Sequence, residues 1–210
     1  MKEITMTCIT TASGVTFDLR HPDRSTIHIA DIAHHLAQLN RFTGAAARPM
    51  SVAEHSLLVA EIAEREFGLR GAALLAALLH DAHEAYASDL ATPAKRVVGG
   101  AWFNFEHRLA HVVTTRFAVH AAAYEARDEI AAADAIALAT EKAQLMPPSP
   151  PWPSLAGVEP YPIDLLEPGR CAMAWLDWRQ AFLDRFAELE FTRLEQVEPS
   201  PVDPDRRHPA

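Results

Sequence analysis

Cysteine is scarce in this chain. Cys8 and Cys171 are the only two, far apart and in no zinc-finger spacing. That excludes a disulfide framework and a cysteine-based zinc module, and it fits free thiols in a reducing cytoplasm. A basic surplus is also lacking: 19 Lys and Arg stand against 28 Asp and Glu, a formal net charge of −9. A broad surface for duplex nucleic acid needs clustered cations, so no such partner is expected. A small anionic substrate stays compatible, because a metal and a few basic residues can reverse the local field. No apolar run reaches the roughly 20 residues needed to span a bilayer. The start, Met1-Lys2-Glu3-Ile4-Thr5, has no long apolar stretch of a secretory signal. A cytoplasmic protein without a membrane partner is the expectation.

Strand signals and internal repeats are few or missing. What is abundant is apolar helix-forming sequence: 49% of the 210 residues are hydrophobic, enough for the sizeable core of one ordinary domain. The predicted class is all-α. Residues 1–25 read as an irregular segment with one short strand at Val15–Leu19, between turns at Gly14 and Pro22. Ile29, Ile32, Ala33, Leu36 and Leu39 follow helical spacing and predict a helix from Ile29 to about Asn40. Ser51-Val52-Ala53-Glu54 has the capping-box pattern, which predicts a helix from Ser51 to about Phe67. Further helices are expected over 70–87, 101–118, 122–145 and 168–189. The run Met146-Pro147-Pro148-Ser149-Pro150-Pro151-Trp152-Pro153 must be extended. The bundle domain is expected over 26–190, and 191–210 is expected to be a disordered tail. Trp175, Trp178 and Phe182 of the last helix can pack on the core or on a second subunit.

Within this apolar sequence, one window is chemically different. Leu78-Leu79-His80-Asp81-Ala82-His83-Glu84-Ala85-Tyr86 ends a buried Ala/Leu run in ionisable side chains. His80 and Asp81 offer an imidazole and a carboxylate, and Glu84 follows four residues after His80, on the same face of a helix. His55 precedes them in the first turn of its helix, and Asp134 follows within Ala131-Ala132-Ala133-Asp134-Ala135. Each has an ordinary reading alone: a hydrogen-bonded core histidine, a helix-end ion pair, a surface carboxylate. Together, in the order His, His-Asp, Asp on successive helices, they predict a metal site and a metal-dependent hydrolase. A buried, unpaired Asp134 would be costly, and a metal removes that cost.

Ser51-Val52-Ala53-Glu54-His55-Ser56, the His80-Asp81 window, Ser88-Asp89-Leu90-Ala91-Thr92-Pro93-Ala94-Lys95-Arg96 and Ala132-Ala133-Asp134 together resemble the HD-domain metal-dependent phosphohydrolases. The match is closest to a phage- and prophage-type branch, similar to YfbR-like 5′-deoxynucleotidases and phage dATP triphosphohydrolases. It covers about residues 14–190. The resemblance implies an all-α HD-domain bundle in which His55, His80, Asp81 and Asp134 hold one divalent ion, of Mn, Co, Mg, Zn or Fe. Metal-bound water would attack phosphorus. Glu84 matches the residue that positions or deprotonates that water. Asp89 matches a second acid beside the sugar and water, or else caps the next helix. Arg41, followed by Phe42, matches a pair that clamps phosphate or sugar and stacks on a base. Lys95 and Arg96 could reach the same anion.

Ala45, Pro49-Met50 and His83 depart from the branch's usual residues near the expected base and sugar. His83 is either a hydrogen-bond donor behind the site or a surface residue. The expected substrate is a nucleotide, and a deoxynucleotide in particular. Cleavage to nucleoside plus phosphate or to nucleoside plus triphosphate stays open. The alternative is a non-catalytic HD-fold protein that binds a nucleotide or a partner. A two-metal phosphodiesterase is disfavoured, since the chain lacks the extra His ligands. Related HD hydrolases imply a homo-oligomer.

Overall fold

The computed structural model describes residues 6–197. The N-terminal segment is more regular than expected. β1 (Cys8–Thr10) pairs antiparallel with β2 (Thr16–Asp18), so the strand expected at Val15–Leu19 has a partner. Asp31 fastens this hairpin to α1 (Ile29–Gln38) by accepting the Ser13 N–H and hydroxyl, each at 2.7 Å. Phe17 stacks on Tyr86 with ring centroids 4.2 Å apart. The hairpin thereby braces the segment that carries Glu84.

α1 buries Ile32, Ala33 and Leu36, the stripe its spacing predicts. α2 (Val52–Glu66) starts at Ser51, whose Oγ accepts the Glu54 N–H at 3.1 Å. Only this half of the expected capping box forms. The Glu54 carboxylate, fully buried, instead takes Arg48 at 2.8 and 2.7 Å and Arg170 at 2.8 Å. Two guanidinium groups satisfy an interior carboxylate better than one backbone N–H. They also tie the 45–50 loop and the chain near Arg170 to the start of α2.

The helix expected over 70–87 is two helices, α3 (Gly71–Leu78) and α4 (Glu84–Ala87). The Ala77 carbonyl explains the break. In a continuing α-helix it would accept the Asp81 N–H; here His80 N–H and His80 Nδ1 reach it, at 3.4 and 2.9 Å. Bonds of i→i+3 type follow, Ala82 to Leu79 and Glu84 to Asp81. His80 and Asp81 therefore sit in a tight turn, not on a regular helix face. Asp81 and Glu84, three apart, share one side of it.

α5 (Thr92–Val98), with Pro93 in its first turn, and α6 (Gly100–Arg116) follow. The single helix expected over 122–145 is broken at Ala126 (ψ 18°) into α7 (His120–Glu125) and α8 (Arg127–Leu145). The expected last helix is likewise divided, into α9 (Pro168–Ala172) and α10 (Trp175–Val197). Met173 is extended, and Asp177 accepts the Ala174 N–H at 2.7 Å to start the second piece. Residues 191–197 are therefore helix rather than tail; 198–210 of the expected tail lie outside the described residues. Phe182 and Trp178 pack on the core, while Trp175 stays 39% exposed beside His34.

α2 lies between α3 and α8, and α10 crosses α1 and α3. The class is all-α, with one two-stranded sheet among the described residues. Among those residues, no helix is long and apolar enough to cross a membrane.

Candidate metal centre

Three packed elements bring the four expected ligands together. The first turn of α2 presents His55, fully buried; the turn after α3 presents His80 and Asp81; α8 presents Asp134. His55 Nε2 lies 3.1 Å from Asp134 Oδ1 and 3.7 Å from Asp81 Oδ2, and His80 Nε2 lies 3.2 Å from Asp81 Oδ2. Two neighbouring ligands, each about 2.1 Å from a common ion, sit about 3 Å apart, so the spacing suits a divalent cation. Fully buried Ala53, Ala77, Ala133 and Ala137 let the backbones come this close.

The donor set supports the fit. The Nε2 atoms of His55 and His80 are buried and have no hydrogen-bond partner beyond the facing carboxylates of Asp134 and Asp81. Both Nδ1 atoms are engaged, His80 with the Ala77 carbonyl at 2.9 Å and His55 with Glu141 Oε1 at 2.6 Å. A partner on Nδ1 leaves Nε2 free to face a cation. Burial and Arg41 draw the His55 imidazole down, yet Glu141 and Asp134 outweigh them and it is pushed up to about 10. Binding of a cation at that nitrogen must release the proton it holds. Burial pushes the Asp81 carboxyl up, but His80 and His55 hold it well below the usual carboxylate range. Asp134 is less costly than its apolar helix suggested, because its side chain is 43% exposed to the cleft.

Glu84 stands beside this group, 2% exposed, with Oε2 unpartnered. Burial, then Asp81 and Asp89, push its carboxyl up to about 10. Asp89 is raised as well, first by burial. It does not cap the next helix: the residue at the N-cap of α5 is Ala91, and no side chain caps it. Lys95 Nζ sits 3.6 Å from Glu84 and 2.7 Å from Glu106 on α6. Its charge is thus shared with two carboxylates rather than offered freely to a ligand. His83 is buried, with Nε2 3.8 Å from Glu106, which rules out the surface reading.

A cleft of about 610 Å³ opens over the group, lined by Arg41, Phe42, Glu84, Asp89, Lys95 and Arg96 among others. All the expected helper and substrate residues therefore share one cavity with Asp81 and Asp134. Arg96 is exposed there. Arg41 is not a free rim cation: it is 9% exposed, its Nε bonds Glu141 at 2.9 Å, and its Nη1 lies 3.9 Å from Asp81. Its N–H donates to the Met50 carbonyl at 2.8 Å, which closes the 41–50 loop at its base. Phe42 and Thr43 have φ of 58° and 55°, and Gly44 follows at 79°. The Phe42 ring faces Trp152, centroids 6.2 Å apart, so the proline-rich segment forms the opposite wall.

Three participants escaped sequence reasoning: Glu141, Glu106 and Trp152. Glu141 lies two turns after Asp134 on α8, and that same-face acid was a readable signal. Trp152 was an aromatic among prolines, visible as a wall only once the segment's path is known. Glu106 had no comparable signal.

The HD domain family profile matches residues 52–172, a span that contains all four candidate ligands. An uncharacterized protein of Rhodobacter capsulatus is 42% identical over 112 residues, which cover 52% of this chain and 57% of that protein. This chain thus matches little more than half the length of that relative. The uncharacterized protein YfdR of Escherichia coli is 30% identical over 192 residues, 90% of this chain and 98% of YfdR.

Proposed function

This chain belongs to the HD domain family, which points to metal-dependent phosphohydrolase chemistry, and on that premise we propose that it hydrolyses nucleotides, deoxynucleotides in particular. One observation carries the reading. Two buried imidazole nitrogens face only the carboxylates of Asp81 and Asp134, at the floor of a cleft that also holds Arg41, Arg96 and an aromatic wall. A divalent cation held by His55, His80, Asp81 and Asp134 supplies Lewis acidity toward a phosphoryl oxygen and toward water.

The protein's own groups do the rest. Arg96, and the Arg41 guanidinium beyond its bond to Glu141, bind and orient the phosphate. Phe42 and Trp152 offer faces for the base. Glu84 must be ionised to accept a proton; its carboxyl stands at about 10 with Lys95 and Arg41 already drawing it down, and a cation held beside Asp81 would draw it down further. Water attacks phosphorus, Glu84 takes the water's proton, the bond between phosphorus and the nucleoside oxygen breaks, and that oxygen leaves as a hydroxyl with the proton returned from Glu84. Asp89 is the second acid beside that water. The proposal extends to a homo-oligomer in a cytoplasmic setting. Phe191 and Leu194, 63% and 51% exposed on α10, are candidates for the contact, and light scattering of the purified protein tests it.

The deciding experiment is a phosphate-release screen with dAMP, dATP and other nucleotides, with Mn²⁺, Co²⁺ or Mg²⁺, and identification of the products. Release of phosphate or triphosphate fixes the cleaved bond. No release from any nucleotide with any of these metals rejects hydrolysis and leaves a binding protein.

A further inference from the structure

Glu141 is fully buried, and its two oxygens serve two different elements. Oε1 accepts from His55 Nδ1 at 2.6 Å, and Oε2 accepts from Arg41 Nε at 2.9 Å. An interior carboxylate is tolerated when both oxygens are met by charged or polar donors, and here they are. The arrangement joins α2, the 41–44 turn and α8 at one point. Asp134, itself a candidate ligand, lies on the same face of α8 two turns earlier.

We infer that Glu141 is a positioning residue that locks the His55 imidazole and the Arg41 guanidinium into one unit. The metal side and the anion side of the site then share a single support. By holding a proton on His55 Nδ1, Glu141 leaves Nε2 to face the ion. By holding Arg41 Nε, it aims the remaining guanidinium N–H groups toward Asp81 and the cleft. The inference rests on His55 being a metal ligand and Arg41 facing the anion, not on which ester is cleaved.

Glutamine at 141 has nearly the same shape but one acceptor oxygen. Its amide NH₂ must face either His55 Nδ1–H or Arg41 Nε–H, donor against donor. The test is calorimetric titration of Co²⁺ into wild type and Glu141→Gln, then of inorganic phosphate into each Co²⁺-loaded protein. The Nδ1 proton of His55 is followed by NMR without metal. Expected are a loss in Co²⁺ affinity of about 10- to 100-fold, weaker phosphate binding, and a moved or lost Nδ1 resonance.

Glu141→Asp keeps the charge but is one methylene shorter. It gives a second reading should the Gln variant fail to fold, with an intermediate loss expected. A folded variant with wild-type Co²⁺ affinity and an unmoved His55 resonance overturns the inference, as does a wild type that binds no Co²⁺. A wild type that binds Co²⁺ tightly but releases phosphate from no nucleotide rejects the proposed reaction and leaves this inference standing on the Co²⁺ data.

Discussion

The floor and the rim of the cleft are built in opposite ways. The floor places His55 and Asp134 on long packed helices and His80 in a turn braced by the end of α3. Its imidazoles are fixed by partners on Nδ1. The rim is made of a left-handed turn at 42–44, the coil 88–91 before α5, and a proline-rich segment. A cation needs donors placed within tenths of an ångström, and packed helices supply that. A substrate's variable part is met by loops, which can change without disturbing the support beneath. Chemistry should therefore fail when the floor is altered, and substrate preference should shift when the rim is.

The largest expected effect is on the floor. Asp81→Ala removes one ligand and leaves two imidazole nitrogens beside Asp134 alone. Co²⁺ binding and phosphate release should both vanish in calorimetry and the release assay. A variant that still binds the ion tightly would break the assignment of Asp81. Glu84 stands between the two regions and separates them. Glu84→Gln should keep Co²⁺ affinity while kcat falls by about 10²- to 10⁴-fold, the usual worth of a general base. Full activity would exclude that role.

On the rim, Trp152→Ala should leave the ion in place and raise KM. Stacking on one aromatic face is worth about 1 kcal/mol at the low end, or roughly fivefold. Base-bearing substrates should suffer and a simple phenyl phosphate ester should not. Equal loss with both would mean that Trp152 supports the wall and does not read the base.

The same contrast decides what could be read from sequence. The floor's residues are of few types and stand in a simple order along the chain, because a cation accepts few donor types. His55, His80, Asp81 and Asp134 were therefore visible without coordinates. Glu141 was missed because nothing in Ala139-Thr140-Glu141 marks a buried acid, although its same-face spacing from Asp134 was there to read. The break before Asp81 was missed because it depends on the His80 side chain taking a backbone carbonyl, which helical periodicity cannot register. Arg41 was singled out as a clamp, but its bond to Glu141 was not readable, because that partner lies 100 residues away.

The network behind the rim has a pH signature. Burial would raise the Glu106 carboxyl, but His83 and Lys95 outweigh it and hold it at about 2. A depressed carboxyl contributes stability that is complete above the ordinary range and is lost as pH falls toward the folded value. The Tm gap between wild type and Glu106→Gln should thus be full at pH 5 and above and narrow steadily toward pH 3. A gap that does not change with pH would show that Glu106 acts by shape rather than charge. The contribution is modest, since the group is not sealed from solvent.

Thr43 tests the contrast most finely. It is exposed and β-branched, yet it sits at φ 55° next to Phe42 at 58°. A non-glycine residue held in this region costs about 1–3 kcal/mol. Asparagine tolerates the left-handed region better and does not loosen the unfolded chain as glycine would. Thr43→Asn should therefore raise stability by about 0.5–1 kcal/mol in urea unfolding. Because the floor is supported separately, Co²⁺ affinity should not move. KM is the discriminating quantity. If the Asn variant is more stable and KM is unchanged, the strain is incidental to the path of the loop. If it is more stable and KM rises, the strained turn is what holds Arg41 and Phe42 against the substrate, and stability has been exchanged for placement at the rim alone.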